Sequence, residues 1–144
     1  MCIRDRFFRA LASYDYSAAQ AAQSDDAQLV DVIAEAYYAP RQASSDQAMA
    51  EWLRRYSERL EQDSTAAGVR QASMNQVNPL YVPRNYLAQL AIDDAEKGDF
   101  ARLHEWLDVL RQPYTEQPGQ QAFAQKRPEW ARSRVGCSML SCSS

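Results

Sequence analysis

Apolar residues along this chain recur at helical spacing, and no segment alternates as a half-buried strand would. Phe7, Phe8, Leu11 and Tyr14 predict an opening helix. Ser24-Asp25-Asp26 reads as the next helix start, because acids favour the positive end of the helix dipole. Leu29, Val32, Ile33 and Ala36 would give its inner face, with Pro40 as the stop. Ser44 and Gln47 fit a capping box. Met49, Trp52, Leu53, Tyr56 and Leu60 follow as an inner stripe, with Arg54, Arg55, Glu58, Arg59 and Glu61 mostly outside it. Residues 64–76 predict a weaker helix, since Gly68 lies within it.

Asn78-Pro79-Leu80-Tyr81-Val82-Pro83 must be extended or turn-like, because each proline disfavours the helical region for its predecessor. Pro83 suits the first turn of a new helix, with Leu87, Leu90, Ala91 and Ala95 facing inward. Lys97-Gly98-Asp99 is a stop-and-restart signal: Gly98 can take the left-handed position and Asp99 can cap the next helix. Phe100, Leu103, Trp106, Leu107 and Leu110 carry that helix inward, and Pro113 ends it. Residues 84–111 are therefore expected to form an antiparallel αα-hairpin. Beyond Pro113 the chain is irregular, and Tyr114, Phe123 and Trp130 would anchor it over another surface. The expected fold class is all-α with an extended C-terminal tail.

Composition narrows the function classes. Hydrophobic residues make up 46% and charged residues 24% of the 144, an ordinary soluble balance. Net charge is −3 with acids and bases mixed, so there is no basic stripe for nucleic acid. No apolar run approaches the ~20 residues of a membrane span. Three cysteines do not make a disulfide scaffold, which points to a reducing, cytosolic setting. Met1-Cys2-Ile3-Arg4-Asp5-Arg6 has no apolar core of a signal peptide. It back-translates to the end of a common transposon-based sequencing adapter. Residues 1–6 are thus expected to be non-natural, Cys2 included, and the natural chain to continue upstream. The expected organisation is an adapter-derived 1–6, a helical region 7–112 and a tail 113–144.

Candidate chemistry is sparse. His104, the single histidine, reads as a surface residue, with no nucleophile or second metal ligand to go with it. Asp93, Asp94, Glu96 and Asp99 read as a solvated helix end plus a cap. Arg84 would sit in the first helical turn, where a cation opposes the dipole by about 0.3–1 kcal/mol. A partner carboxylate would offset that, so Arg84 and Asn85 are candidate structural anchors; a solvent-exposed arginine is the other reading. Gly136 to Ser144 is too small and polar to pack as core. Cys137 and Cys142 lack zinc spacing. A short-loop disulfide between them is geometrically possible. Cys142 is either an inert tail thiol or a slow redox thiol.

Asn78-Pro79-Leu80-Tyr81-Val82-Pro83-Arg84-Asn85-Tyr86-Leu87-Ala88-Gln89 resembles a conserved-pattern segment of the SelO (YdiU) family. Ala95-Glu96-Lys97-Gly98-Asp99, Leu110-Arg111-Gln112-Pro113-Tyr114, Arg127-Pro128-Glu129-Trp130 and the closing Ser141-Cys142-Ser143-Ser144 follow at that family's spacing. The resemblance implies a pseudokinase that transfers AMP from ATP to Ser, Thr or Tyr hydroxyls of protein substrates, with Mg2+ or Mn2+. It also implies that this chain is the C-terminal fragment, with the nucleotide- and metal-binding residues in a kinase-like region upstream. It assigns Cys142 one half of a regulatory disulfide whose partner lies upstream, and gives Cys137 no role. No nucleic acid or membrane partner is implied, and the bacterial cytoplasm is the expected compartment. The competing expectation is a free-standing helical interaction module using its Trp and Tyr surface.

Overall fold

A computed structural model of the protein describes residues 4–137. Among them the fold is all-α, with seven α-helices and no strand. No helix among the described residues is long and apolar enough to cross a membrane. The chain divides into two compact units between Asn78 and Pro79.

The first unit is built from short helices: α1 (Arg4–Ala12), α2 (Ala18–Gln23), α3 (Asp26–Asp31), α4 (Ala43–Glu61) and α5 (Ala67–Val77). Its core joins Leu11, Tyr14, Ala21, Leu29, Val30, Ile33, Ala50 and Leu53. The expected stripe on α4 is present, but its buried centre is Ala50, Leu53 and Ser57. Trp52 sits at the margin, stacked on Tyr56 with ring centroids 5.3 Å apart. Ser57 is buried because its Oγ lies 2.7 Å from the Tyr14 hydroxyl and 3.2 Å from the Leu53 carbonyl oxygen it donates to.

Three local expectations are corrected here. The capping box forms at Ser17 and Gln20, opening a helix the periodicity did not reveal. The same Ser-x-x-Gln spacing at Ser44 is unused, because α4 starts one residue earlier at Ala43 and draws Ser44 into its first turn. The helix begun by Asp25 does not run to Pro40. It ends at Asp31, and Ile33 leaves helical geometry before a 3-10 turn at Ala34–Ala36. The β-branched pair Val32-Ile33 holds the helix poorly at that point.

The second unit contains the expected hairpin, α6 (Asn85–Ala95) and α7 (Ala101–Arg111). Gly98 takes the left-handed conformation at φ 85°. The amide of Asp99 donates to the Asp94 carbonyl and that of Gly98 to the Ala95 carbonyl, which closes α6 as a Schellman motif. The N-cap of α7 is Phe100 and not Asp99 as expected; Asp99 stands one residue before it and accepts the Ala101 amide at 2.9 Å. The inner face of α7 is rotated from expectation. Trp106 and Val109 are buried, while Phe100 and Leu107 are 50% and 45% exposed.

Residues 113–137 pack on this hairpin. The Pro113 carbonyl accepts both the Leu80 and Tyr81 amides. Phe123 and Ala131 enter the core beside Tyr81, Tyr86, Leu87, Trp106 and Val109. Of the three tail aromatics only Phe123 is buried; Tyr114 and Trp130 stay about half exposed.

Leu53→Ala, in the fully buried centre of the first core, is expected to cost about 2–5 kcal/mol in chemical denaturation. Gly98→Ala meets no steric neighbour, so its expected cost is only that of a left-handed alanine, about 1–2 kcal/mol. Burial raises the phenol pKa values of Tyr14, Tyr37 and Tyr56 above the ordinary 10.0. The unfolded chain therefore loses these protons first. Stability should hold up to about pH 10 and decline above it, as denaturation at graded alkaline pH would report.

Candidate functional site

The sequence-derived site residues that the structure describes all lie in the second unit. Arg84 is not in the first helical turn. It is the N-cap residue of α6, with extended backbone (φ −82°, ψ 136°): the extended run continues through Pro83 and Arg84, so neither enters the first helical turn as expected. At the N-cap the residue still stands at the positive end of the helix dipole, so the conflict expected for a cation remains. Its side chain is 6% exposed, so the solvent-exposed reading is set aside. Its carbonyl accepts the Leu87 and Ala88 amides. Asn85 is the first residue of α6 and is partly buried.

Cys137 overturns the expectation that the stretch from Gly136 onward is too polar to pack. It is a free thiol, 2% exposed, within the cluster formed by Tyr81, Tyr86, Leu87, Trp106 and Val109. In an apolar surrounding a thiol behaves as a small hydrophobe. Cys142 and Cys2 lie outside the described residues.

Cys137 is delivered to the core by a clamp on α6 that sequence reasoning missed. Gln89 is its centre. Its side-chain amide donates to Asp93 at 3.0 Å. Its carbonyl oxygen lies over Gly136, where a Cβ would come within 2.0 Å of it. Arg134 donates to the other carboxylate oxygen of Asp93. The same guanidinium stands 5.7 Å from the Trp130 ring centroid, and Trp130 meets Tyr86 edge-on at 6.1 Å. Gly136 is left-handed at φ 89°, so both its backbone and its cover demand glycine. The available signal was compositional: an isolated glycine in a chain with four, directly before a cysteine.

Three acids of the hairpin, Asp93, Asp94 and Asp99, are already engaged. The Gln89 hydrogen bond, and after it Arg134, hold the Asp93 carboxyl below its ordinary range. Asp94 pairs with Arg102 at 2.6 Å, and Asp99 accepts the Ala101 amide. Among the described residues no group of three or more His, Cys, Asp or Glu can hold a metal ion. These residues therefore do not fit a catalytic metal, and His104 is exposed on α7 with no such company.

Gly136→Ala is expected to cost more stability than Gly98→Ala, because it adds displacement of Gln89 to the same backbone conflict. It should also make Cys137 titratable by a thiol reagent under native conditions. With a depressed Asp93 pKa, the clamp contributes stability above the unfolded value of 3.8 and loses it as pH falls. Cys137 labelling should accordingly accelerate in acid relative to a model thiol under the same conditions.

A family model described as protein adenylyltransferase SelO matches residues 4–111. The chain is 48% identical over 139 residues to the protein nucleotidyltransferase YdiU of Aromatoleum aromaticum and 50% identical over 139 residues to that of Tolumonas auensis. Both alignments cover 96% of this chain and 25% of the relative. It is 54% identical over 120 residues to the YdiU of Xanthomonas oryzae pv. oryzae, covering 83% of this chain and 23% of that one. The chain thus spans about a quarter of the length of the curated relatives it matches. With a family model matching across both units to the end of α7, the chain belongs to the SelO family.

Proposed function

We propose that this chain is the helical C-terminal part of a bacterial, cytoplasmic protein adenylyltransferase. The match of residues 4–111 to the SelO family model carries that reading. In the reaction, a Ser, Thr or Tyr hydroxyl oxygen of a protein substrate attacks the α-phosphorus of ATP. An O–P bond forms, the bond to the β-phosphate oxygen breaks, and pyrophosphate leaves as the hydroxyl gives up its proton. Mg2+ or Mn2+ supplies charge neutralisation on the phosphates when bound. The kinase-like region that would hold nucleotide and metal belongs, in this reading, to the part of the polypeptide outside this chain.

What this chain supplies is scaffold and regulation. Arg84 and Asn85 set the start of α6, and α6 carries the clamp that seats the tail. Cys142 then acts as one half of a redox switch with a cysteine outside this chain. Cys137, buried, is the thiol that does not take part.

Assay of the complete protein with ATP labelled at the α- or the γ-phosphate tests the reading. Label from the α-position should enter protein substrates and label from the γ-position should not; γ-transfer would make the protein a phosphotransferase instead. The 144-residue chain alone should bind no ATP. Cys142→Ser in the complete protein should remove the response of AMP transfer to oxidant and reductant, and an unchanged response would reject the role given to Cys142.

A further inference from the structure

Helix α7 is apolar over more of its circumference than the hairpin and tail cover. At 3.6 residues per turn, Val109, Trp106, Leu110, Leu103 and Leu107 occupy about 160° of arc on α7, with Phe100 at its N-cap. One partner helix requires roughly 100°. The half centred on Trp106 and Val109 is buried. The other half runs Phe100, Leu103, Leu107 and Leu110, a 3-4-3 spacing that is the seam a second helix packs along. On this half Leu107 and Phe100 are about half exposed and Leu103 is partly covered, while Leu110, at the edge, packs against the hairpin core. Beyond the seam the surface turns polar at His104 and at Arg111, which pairs with Asp108 at 2.8 Å.

We propose that this seam seats an amphipathic helix from the part of the polypeptide that lies outside this chain, its apolar face toward Leu103 and Leu107. The inference rests on the reading that the chain is a piece of a longer adenylyltransferase. The lengths of the relatives support that occupant, since about three quarters of each lies outside the matched region. The spacing selects a helix over a strand or loop.

Leu107→Cys, made in the complete protein and in the 144-residue chain, tests it by maleimide labelling mapped to that residue. Labelling in the complete protein should be at least tenfold slower than in the chain alone. Leu107→Gln should lower the melting temperature of the complete protein by several degrees and leave that of the chain nearly unchanged. Equal labelling rates, or equal shifts in both, would overturn the proposal. So would a chain that dimerises alone through this seam, with dimerisation lost in Leu107→Gln, because the occupant would then be a second copy. AMP transfer by the unmodified complete protein is read separately. Transfer without protection of residue 107 removes the docking helix only, and protection without transfer removes the enzymatic reading only.

Discussion

Short helices leave a large share of their backbone unsatisfied, because the last four carbonyls of any helix have no intrahelical donor. In the first unit α2 and α3 have six residues each, so end groups dominate. Long side chains from neighbouring helices supply the missing donors. Arg54 on α4 donates to the Ala21 and Ser24 carbonyls as well as to Asp26, joining the end of α2 to the start of α3. Arg9 on α1 donates to Asn75 and Asn78 at the end of α5, and Arg70 on α5 donates to the Tyr14 carbonyl. α5 buries no residue of its own, so these bonds, with Met74 packed on the core, are what fix it. The second unit solves the same problem with a neutral side chain. The Gln117 amide bridges the Val109 and Gln112 carbonyls at the end of α7, while its backbone amide donates to the buried Tyr81 hydroxyl.

That dependence explains what could be read from the chain and what could not. The hairpin was legible because its signals are local: Lys97-Gly98-Asp99 closes one helix and restarts another within three residues. The α4 stripe was legible because nineteen residues give the periodicity room to show. α2 was not, since six residues of Ala and Gln carry no apolar contrast, and its stability is lent by Arg54 from a distance of some thirty positions. The rotation of α7 was illegible for a different reason. Its apolar arc is wide enough for two partners, and composition alone does not say which half the hairpin takes.

The site divides along the same line. Arg84 and Asn85 stood out by sequence and do open α6, although one position outside the expected register. Gln89, Asp93, Arg134 and Gly136 act across some forty to fifty positions through hydrogen bonds and a close approach, for which neither hydropathy nor spacing offers a cue. Cys137 looked like tail chemistry because its neighbours are small and polar. Its burial comes from the surface it lands on, which only the folded hairpin provides.

Burial of Cys137 bears on how thiols in this chain can choose partners. A disulfide forms only when a thiolate reaches another sulfur, and neighbouring cysteines ordinarily compete by proximity. With Cys137 packed among aromatic rings, ring closure over five residues first requires the tail to peel from α6, breaking the Arg134–Asp93 contact and lifting Gly136 from beneath Gln89. Packing therefore imposes a toll on the nearest pairing. The nearest pairing is thus opposed by van der Waals contact around Cys137.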